Sequence, residues 1–233
     1  MQLNDELIDR LEKLQGKYAA MGQDMASYLD GLLHSDYLTY WDYIHLDTLL
    51  SLQSPRTRFP DEKIFIIYHQ ITELYFKLVV LEQEQLLADK TPDAAFFLDR
   101  IKRINNYFDN LVASFTIMVD GMEKEQFLKY RMALLPASGF QSAQYRMIEL
   151  MSTDFINLVH ISVREELAKA PLSEQFDNIY WKRGATELAT GKKTLTLKQF
   201  EEKYETDFMK LVERGKEKNL WKVFTRLQFK DAQ

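Results

Sequence analysis

Residues Phe65 to Lys77, FIIYHQITELYFK, set one histidine and one glutamate into a mainly apolar and aromatic stretch. Phe65, His69, Thr72, Glu73 and Phe76 recur at spacings of three and four, so on a helix they share one face and the imidazole looks where the rings look. Function is to be sought there. The same pattern also describes a core helix whose histidine and glutamate have found hydrogen-bond partners, and the residues alone leave both readings open.

Two further segments set polar groups among aromatics. FLKYRMALLPASGFQSAQYR carries Arg131, by itself a surface ion-pair former, and HSDYLTYWDYIHLDTLLSL places Tyr37, Tyr40, Trp41 and Tyr43 within seven residues. A packed connection between helices would explain that aromatic density as well. The four histidines, His34, His45, His69 and His160, include no pair spaced to put two ligands on one helix face, so no multi-histidine metal site is expected. Asp42 with Asp47, or Glu82 with Glu84, could be offered as acid and base pairs, but flanking charge makes solvated surface the expectation. No phosphate-cradling glycine loop, nucleophile elbow or dinucleotide fingerprint occurs. The absence of cysteine removes disulfides, thiolate zinc sites and a cysteine nucleophile.

The elements that must position these residues are helices. With 8 glycines and 5 prolines in 233 residues, and apolar spacing of three to four nearly throughout, the chain reads as all-α: a bundle of long antiparallel helices with no convincing strand. Its 46% apolar content can fill a core. Without a repeat or linker, 1–233 reads as one domain: an N-terminal helix within 1–36, a core over 37–170 and a less regular helical part over 171–233. Leu3, Leu7, Leu11, Leu14, Tyr18 and Met21 stripe the first helix. Pro60 and Asp61 open a central helix that runs to about Asp89, and Thr91 with Pro92 reads as the N-cap and first turn of a second one. Its stripe is Phe97, Ile101, Ile104, Phe108, Leu111, Phe115 and Met118. After Asp120-Gly121 come a short helix, KEQFLKYRMALL, a loop from Pro136 to Gly139 and a further helix starting near Gln141, with His160 on a later helix face. Thr196 to Gln199 has capping-box spacing ahead of Phe200, Tyr204, Phe208 and Leu211, Gly215 can end that helix, and NLWKVFTRLQFK makes a last one.

A net charge of -5 with scattered lysines and arginines argues against nucleic acid as partner. The N-terminus has no signal-peptide pattern, and no run approaches the roughly eighteen apolar residues of a membrane span. A cytoplasmic protein that meets a small molecule or another protein, and no membrane, is expected.

Three blocks, YWDYIHLDTLL, FIIYHQITELYFKL and FLKYRMALLPASGFQSAQYRMIE, resemble the tryptophan 2,3-dioxygenase family in order and spacing, over about Tyr37 to Glu149. The resemblance implies an all-helical homo-oligomer, tetramer or dimer, holding a b-type haem. It inserts both atoms of O2 across the indole 2,3-bond of L-tryptophan and yields N-formylkynurenine. By the same resemblance His69 is the catalytic histidine that faces the haem and hydrogen-bonds the indole nitrogen, and Phe65 lies against the indole. Arg131 pairs with the substrate carboxylate, a role suited to a guanidinium, which matches a carboxylate with two parallel charge-assisted bonds. Phe127 stands where the family often has a tyrosine near that carboxylate, one hydroxyl fewer. Tyr40, Tyr43 and Ile44 are implied to be lent by one subunit to its neighbour's pocket, and Ser138 and Gly139 to form the loop beside the haem.

No metal ligand can be assigned. The family's proximal histidine, and its glycine- and threonine-rich loop at the substrate ammonium, have no counterpart before Gln233. The chain is therefore expected to be a fragment or a shortened relative. Two functions follow from the resemblance. One is the haem dioxygenase, with His69 orienting the indole more than serving as an obligatory base. The other is a haem-free relative that binds an aromatic amino acid or indole-like ligand without dioxygenase activity.

Overall fold

The computed structural model describes residues 4–35, 38–186 and 191–230, with side chains through 227. Leu3 and Tyr37, both named above, lie outside the described residues. The chain divides into two compact units, 1–52 and 53–233.

The first unit holds α1 (Asp5–Ala20), α2 (Met25–His34), α3 (Tyr40–Tyr43) and α4 (Leu46–Ser51). Asn4 caps α1 by accepting from the Leu7 N–H, and the Asp24 carboxylate caps α2 through the Ala26 and Ser27 N–H groups. Gly22, at φ +67°, turns the chain between them in a conformation that glycine adopts without a Cβ penalty. None of these four helices contains a buried residue.

The second unit begins with α5 (Pro60–Ala88) and α6 (Ala94–Ser114), the two long helices expected. Asp93, not Thr91, caps α6: its carboxylate accepts the Phe96 N–H at 2.7 Å, while the Thr91 N–H is drawn back to Asp89 at 2.9 Å. The stripe expected to run unbroken to Met118 is interrupted at Ser114, whose hydroxyl donates to the Leu111 carbonyl at 2.9 Å as the Phe115 N–H tightens onto Val112. A four-residue helix, α7 (Thr116–Val119), follows. It closes at Gly121, where a Cβ would lie 2.5 Å from the Ile117 carbonyl oxygen.

The expected short helix divides into α8 (Lys124–Tyr130) and a 3-10 turn, Arg131–Leu134, and after a second 3-10 turn at Gly139–Gln141 comes α9 (Ala143–Ser152). Beyond it the chain is less regular: 3-10 turns at Phe155–Leu158, Glu166–Lys169 and Tyr180–Ala185 surround α10 (Leu172–Asp177). The long α11 (Leu195–Gly215) and α12 (Leu220–Lys230) complete the unit. Thr194, not Thr196, caps α11, because its hydroxyl both accepts the Leu197 N–H and donates to the Ala185 carbonyl, tying the helix to the preceding turn. Among the described residues there is no strand, only isolated bridges at Val159 with Ile179 and Thr186 with Lys193. The all-α expectation holds.

α5 packs along α6 and α9, and α9 along α11. One core joins Val79, Val80 and Ile104 to Ile148 and Met151, and a second joins Leu150 to Phe176, Trp181, Phe200, Phe208 and Val212. α9 separates the two. Glu82, expected on the solvated surface, is 5% exposed, because Arg100 (3.0 Å), Arg103 (3.5 Å) and Tyr107 (3.0 Å) on α6 satisfy its carboxylate. Contrary to the expectation that no run nears a membrane span, α5 is long and apolar enough to cross one by length and composition.

Candidate functional site

The start of α5 is held by its own carboxylates. Glu62, 1% exposed, accepts the backbone N–H groups of Arg56 and Thr57 at 2.7 Å each and the Thr57 hydroxyl. Burial pushes its carboxyl up, but those hydrogen bonds and the Arg56 charge outweigh it and hold the group below the usual glutamate range. Asp61 accepts the Glu123 N–H at 2.5 Å, and the fully buried Tyr130 donates to the Asp61 carbonyl at 3.4 Å, so α8 is clamped against the first turn of α5. Two turns on, the Tyr68 hydroxyl donates to the Leu111 carbonyl on α6 at 3.3 Å.

Between these two ties lies a cavity of about 750 Å³. α5 contributes Phe65, Tyr68, His69 and Thr72, α6 Leu111 and Val112, and the run after its break Phe115, Met118, Val119, Met122, Lys124 and Phe127. The Phe65 ring lies 4.1 Å from the His69 ring, 6.3 Å from Phe127 and 6.1 Å, edge-on, from Tyr130. The His69 Nδ1 is 2.8 Å from the Phe65 carbonyl oxygen, which can only accept. Nδ1 therefore carries the hydrogen, and Nε2 of the neutral ring is left as an acceptor without a partner among the described residues. The arrangement suits a flat apolar ligand with one N–H to offer.

Phe65, His69, Thr72 and Phe127 come together as expected. Glu73 and Phe76, assigned to the same face, do not: Gln144 on α9 donates to the Glu73 carbonyl at 2.7 Å and its carboxylate at 3.1 Å, and Phe76 packs 5.3 Å from Tyr145. Both lie two to three turns beyond Phe65, about 12–16 Å farther along the axis, where α9 and not the cavity stands opposite. Arg131 is exposed, off the cavity wall, and its guanidinium has no hydrogen-bond or ion-pair partner among the described residues. Ser138 and Gly139 stand exposed where the Ser138 N–H donates to the Gln141 side chain at 2.8 Å. Tyr40 and Tyr43, each 70% exposed, lie on α3 of the first unit, where Ile44 is half-buried. His160 is not on a helix. It follows the isolated bridge at Val159, and its Nδ1 accepts the Ser162 N–H at 3.2 Å.

Leu111, Phe115 and Met118 were legible as one stripe but read as bundle contacts. Tyr68 falls outside the face that carries His69, and Val112, Val119, Met122 and Lys124 carried no signal, because they border the cavity from its rim, Val112 and Val119 staying largely exposed.

The haem that the resemblance implies needs an axial ligand as well as apolar walls. The rings and thioethers around His69 fit one face of a flat macrocycle. For the other face no second imidazole lines the cavity, and among the described residues no three potential ligands gather to hold a metal ion. The residues present fit one face of the group and offer no ligand for the other.

A family model described as tryptophan 2,3-dioxygenase matches residues 31–154. Curated proteins of that name are similar over about half of the chain. The one from Anaeromyxobacter sp. is 41% identical over 126 residues, 52% of this chain and 46% of its own. That from Sorangium cellulosum is 38% identical over 125 residues, 49% of this chain and 30% of its own, and that from Ruegeria sp. is 35% identical over 149 residues, 58% and 52%. The chain spans about half the length, or less, of the curated relatives it matches.

Proposed function

The chain belongs to the tryptophan 2,3-dioxygenase family, and from that premise we propose that it forms the substrate-side wall of an enzyme that opens the indole ring of L-tryptophan to N-formylkynurenine. The observation that carries this reading is the His69 imidazole, fixed by its bond to the Phe65 carbonyl so that the acceptor Nε2 is left free on an aromatic cavity wall. In this reading Nε2 accepts the indole N–H and sets the angle of the ring. Phe65 and Phe127 enclose the ring and keep water from it, and proximity supplies much of the rate. Arg131, whose guanidinium is unpaired, takes the substrate carboxylate. Tyr40, Tyr43 and Ile44 close a neighbouring subunit's pocket in a homo-oligomer, a role the exposure of the two tyrosines supports. Ser138 and Gly139 would lie beside haem, which when bound would supply the binding and activation of O2.

The test is haem titration of the purified protein, followed by tryptophan turnover. A Soret band and N-formylkynurenine formation, with turnover at least ten-fold lower in His69→Ala, are expected. Neither band nor product would overturn the dioxygenase reading.

A second reading, a haem-free binder of an aromatic amino acid, is favoured by the one-sided donor set. It expects tryptophan to raise the melting temperature without haem, and Arg131→Ala to remove that rise. A melting curve unmoved by tryptophan or indole would sink it.

A further inference from the structure

A second cavity, of about 410 Å³, lies where the turn between α5 and α6 meets α12. Pro92, Val223 and Leu227 form its apolar wall, and three cations, Lys90, Lys218 and Arg226, stand around it. None of these side chains lines the cavity beside His69. The two sites lie at opposite ends of α5, some 30 Å apart along the helix at about 1.5 Å per residue.

The cations are tethered but not neutralised. Lys218 donates to the Asp89 carbonyl and Arg226 to the Glu217 carbonyl at 2.6 Å, and among the described residues none of the three makes an ion pair with a carboxylate. Burial pushes the Lys218 ammonium down, with the Arg226 charge adding to it and Asp89 opposing. Asp89, the acid that faces them, already accepts the Thr91 N–H at 2.9 Å. In a chain of net charge -5, three cations around one apolar-walled cavity form a local surplus of positive charge, and an anion entering there relieves their mutual repulsion. The wall of proline, valine and leucine selects for an anion with an apolar body.

We propose that this cavity binds a small carboxylate bearing an apolar group, its oxygens on Arg226 and Lys218 and its chain against Val223, Leu227 and Pro92. The free N–H groups of a guanidinium suit a carboxylate, and its tether to Glu217 holds the fork in place beforehand. The proposal does not depend on the family's reaction.

Calorimetric titration with hexanoate, the neutral hexanamide and inorganic phosphate tests it. Hexanoate is expected to bind at one site per chain, hexanamide and phosphate at least ten-fold more weakly. Arg226→Gln and Lys218→Gln should each weaken hexanoate at least ten-fold with unligated melting temperatures unchanged, while Lys102→Gln, an exposed lysine of α6, should not. Lys90→Gln, at an exposed side chain, offers a third variant should either of the first two fail to fold. Phe65→Ala should leave hexanoate binding as it is. No binding, equal binding of hexanamide or phosphate, or binding lost in Phe65→Ala but kept in Arg226→Gln would each overturn the proposal.

Discussion

Between Phe65 and Thr72, α5 turns rings and an imidazole toward an open cavity, whereas between Val79 and Leu86 the same helix, with the same spacing, is sealed. Val79 and Val80 are 1% exposed and Leu86 is fully buried. The difference lies in what stands opposite. Facing the second stretch, α6 is continuous and α9 crosses behind it, so side chains interdigitate. Facing the first, α6 breaks at Ser114 and α8 is clamped only to the first turn of α5, which leaves a gap walled by Phe115, Met118 and Phe127. The polar residues follow suit: Glu82 is saturated by Arg100, Arg103 and Tyr107, while His69 keeps a free nitrogen. A polar group on an apolar helix face marks a site when one of its atoms is left over, and marks a core when none is.

The sharpest way to break this contrast is to cut into each end of α5. Leu86→Ala should cost about 3 kcal/mol, lowering the thermal midpoint by roughly 6–12 °C, with ligand responses at the His69 cavity unchanged; a loss below 1 kcal/mol would mean that end is not a sealed core. Gly121→Ala acts on the cavity rim. Its new methyl meets a backbone oxygen that cannot swing away, so about 1–3 kcal/mol should be lost, together with indole binding. Unaltered binding would show that the turn after α7 does not shape the cavity.

Acid should loosen the start of α5 through Glu62. Its folded carboxyl is held below its unfolded value, so the stabilisation is full at neutral pH and is lost as the pH falls below the unfolded glutamate value, about 4.3, and on through the lower folded one. Glu62→Gln should therefore be less stable than the parent at pH 7 and converge with it in acid; a difference that persists unchanged at pH 3 would refute the assignment. The smallest stability effect belongs to His69→Ala, within about 0.5 kcal/mol of the parent by chemical denaturation. A large loss there would place the imidazole in the core after all.

Much of the scaffold was legible. The all-α class, both long helices and the proline that opens α5 follow from apolar spacing and from proline's fixed φ. Gly215 as the end of α11 was readable for a similar local reason. Caps were missed where two candidates stood near each other: Asp93 beside Thr91, and Thr194 beside Thr196. In the second case the choice depends on the Ala185 carbonyl, which no local pattern reveals. Residue type and spacing put Phe65 and His69 on one helix face, whereas Phe127 came only from the family resemblance. Lys124 and Met122 were not found, since nothing near them in the chain tells that they face α5.

What the sequence by itself determined is local: which segments are helical, because backbone geometry imposes a period of 3.6 on any buried face, and which residues carry proton-handling or charge-pairing groups. The tertiary structure decided which of those groups are spent. Glu82 meets two arginines because α6 lies alongside it, Glu73 is taken by Gln144 because α9 crosses there, and His69 is left with an open nitrogen because α6 breaks before it can cover that side. Burial and pairing depend on partners far away in sequence, and a helical period constrains which way a side chain points without telling what it will meet.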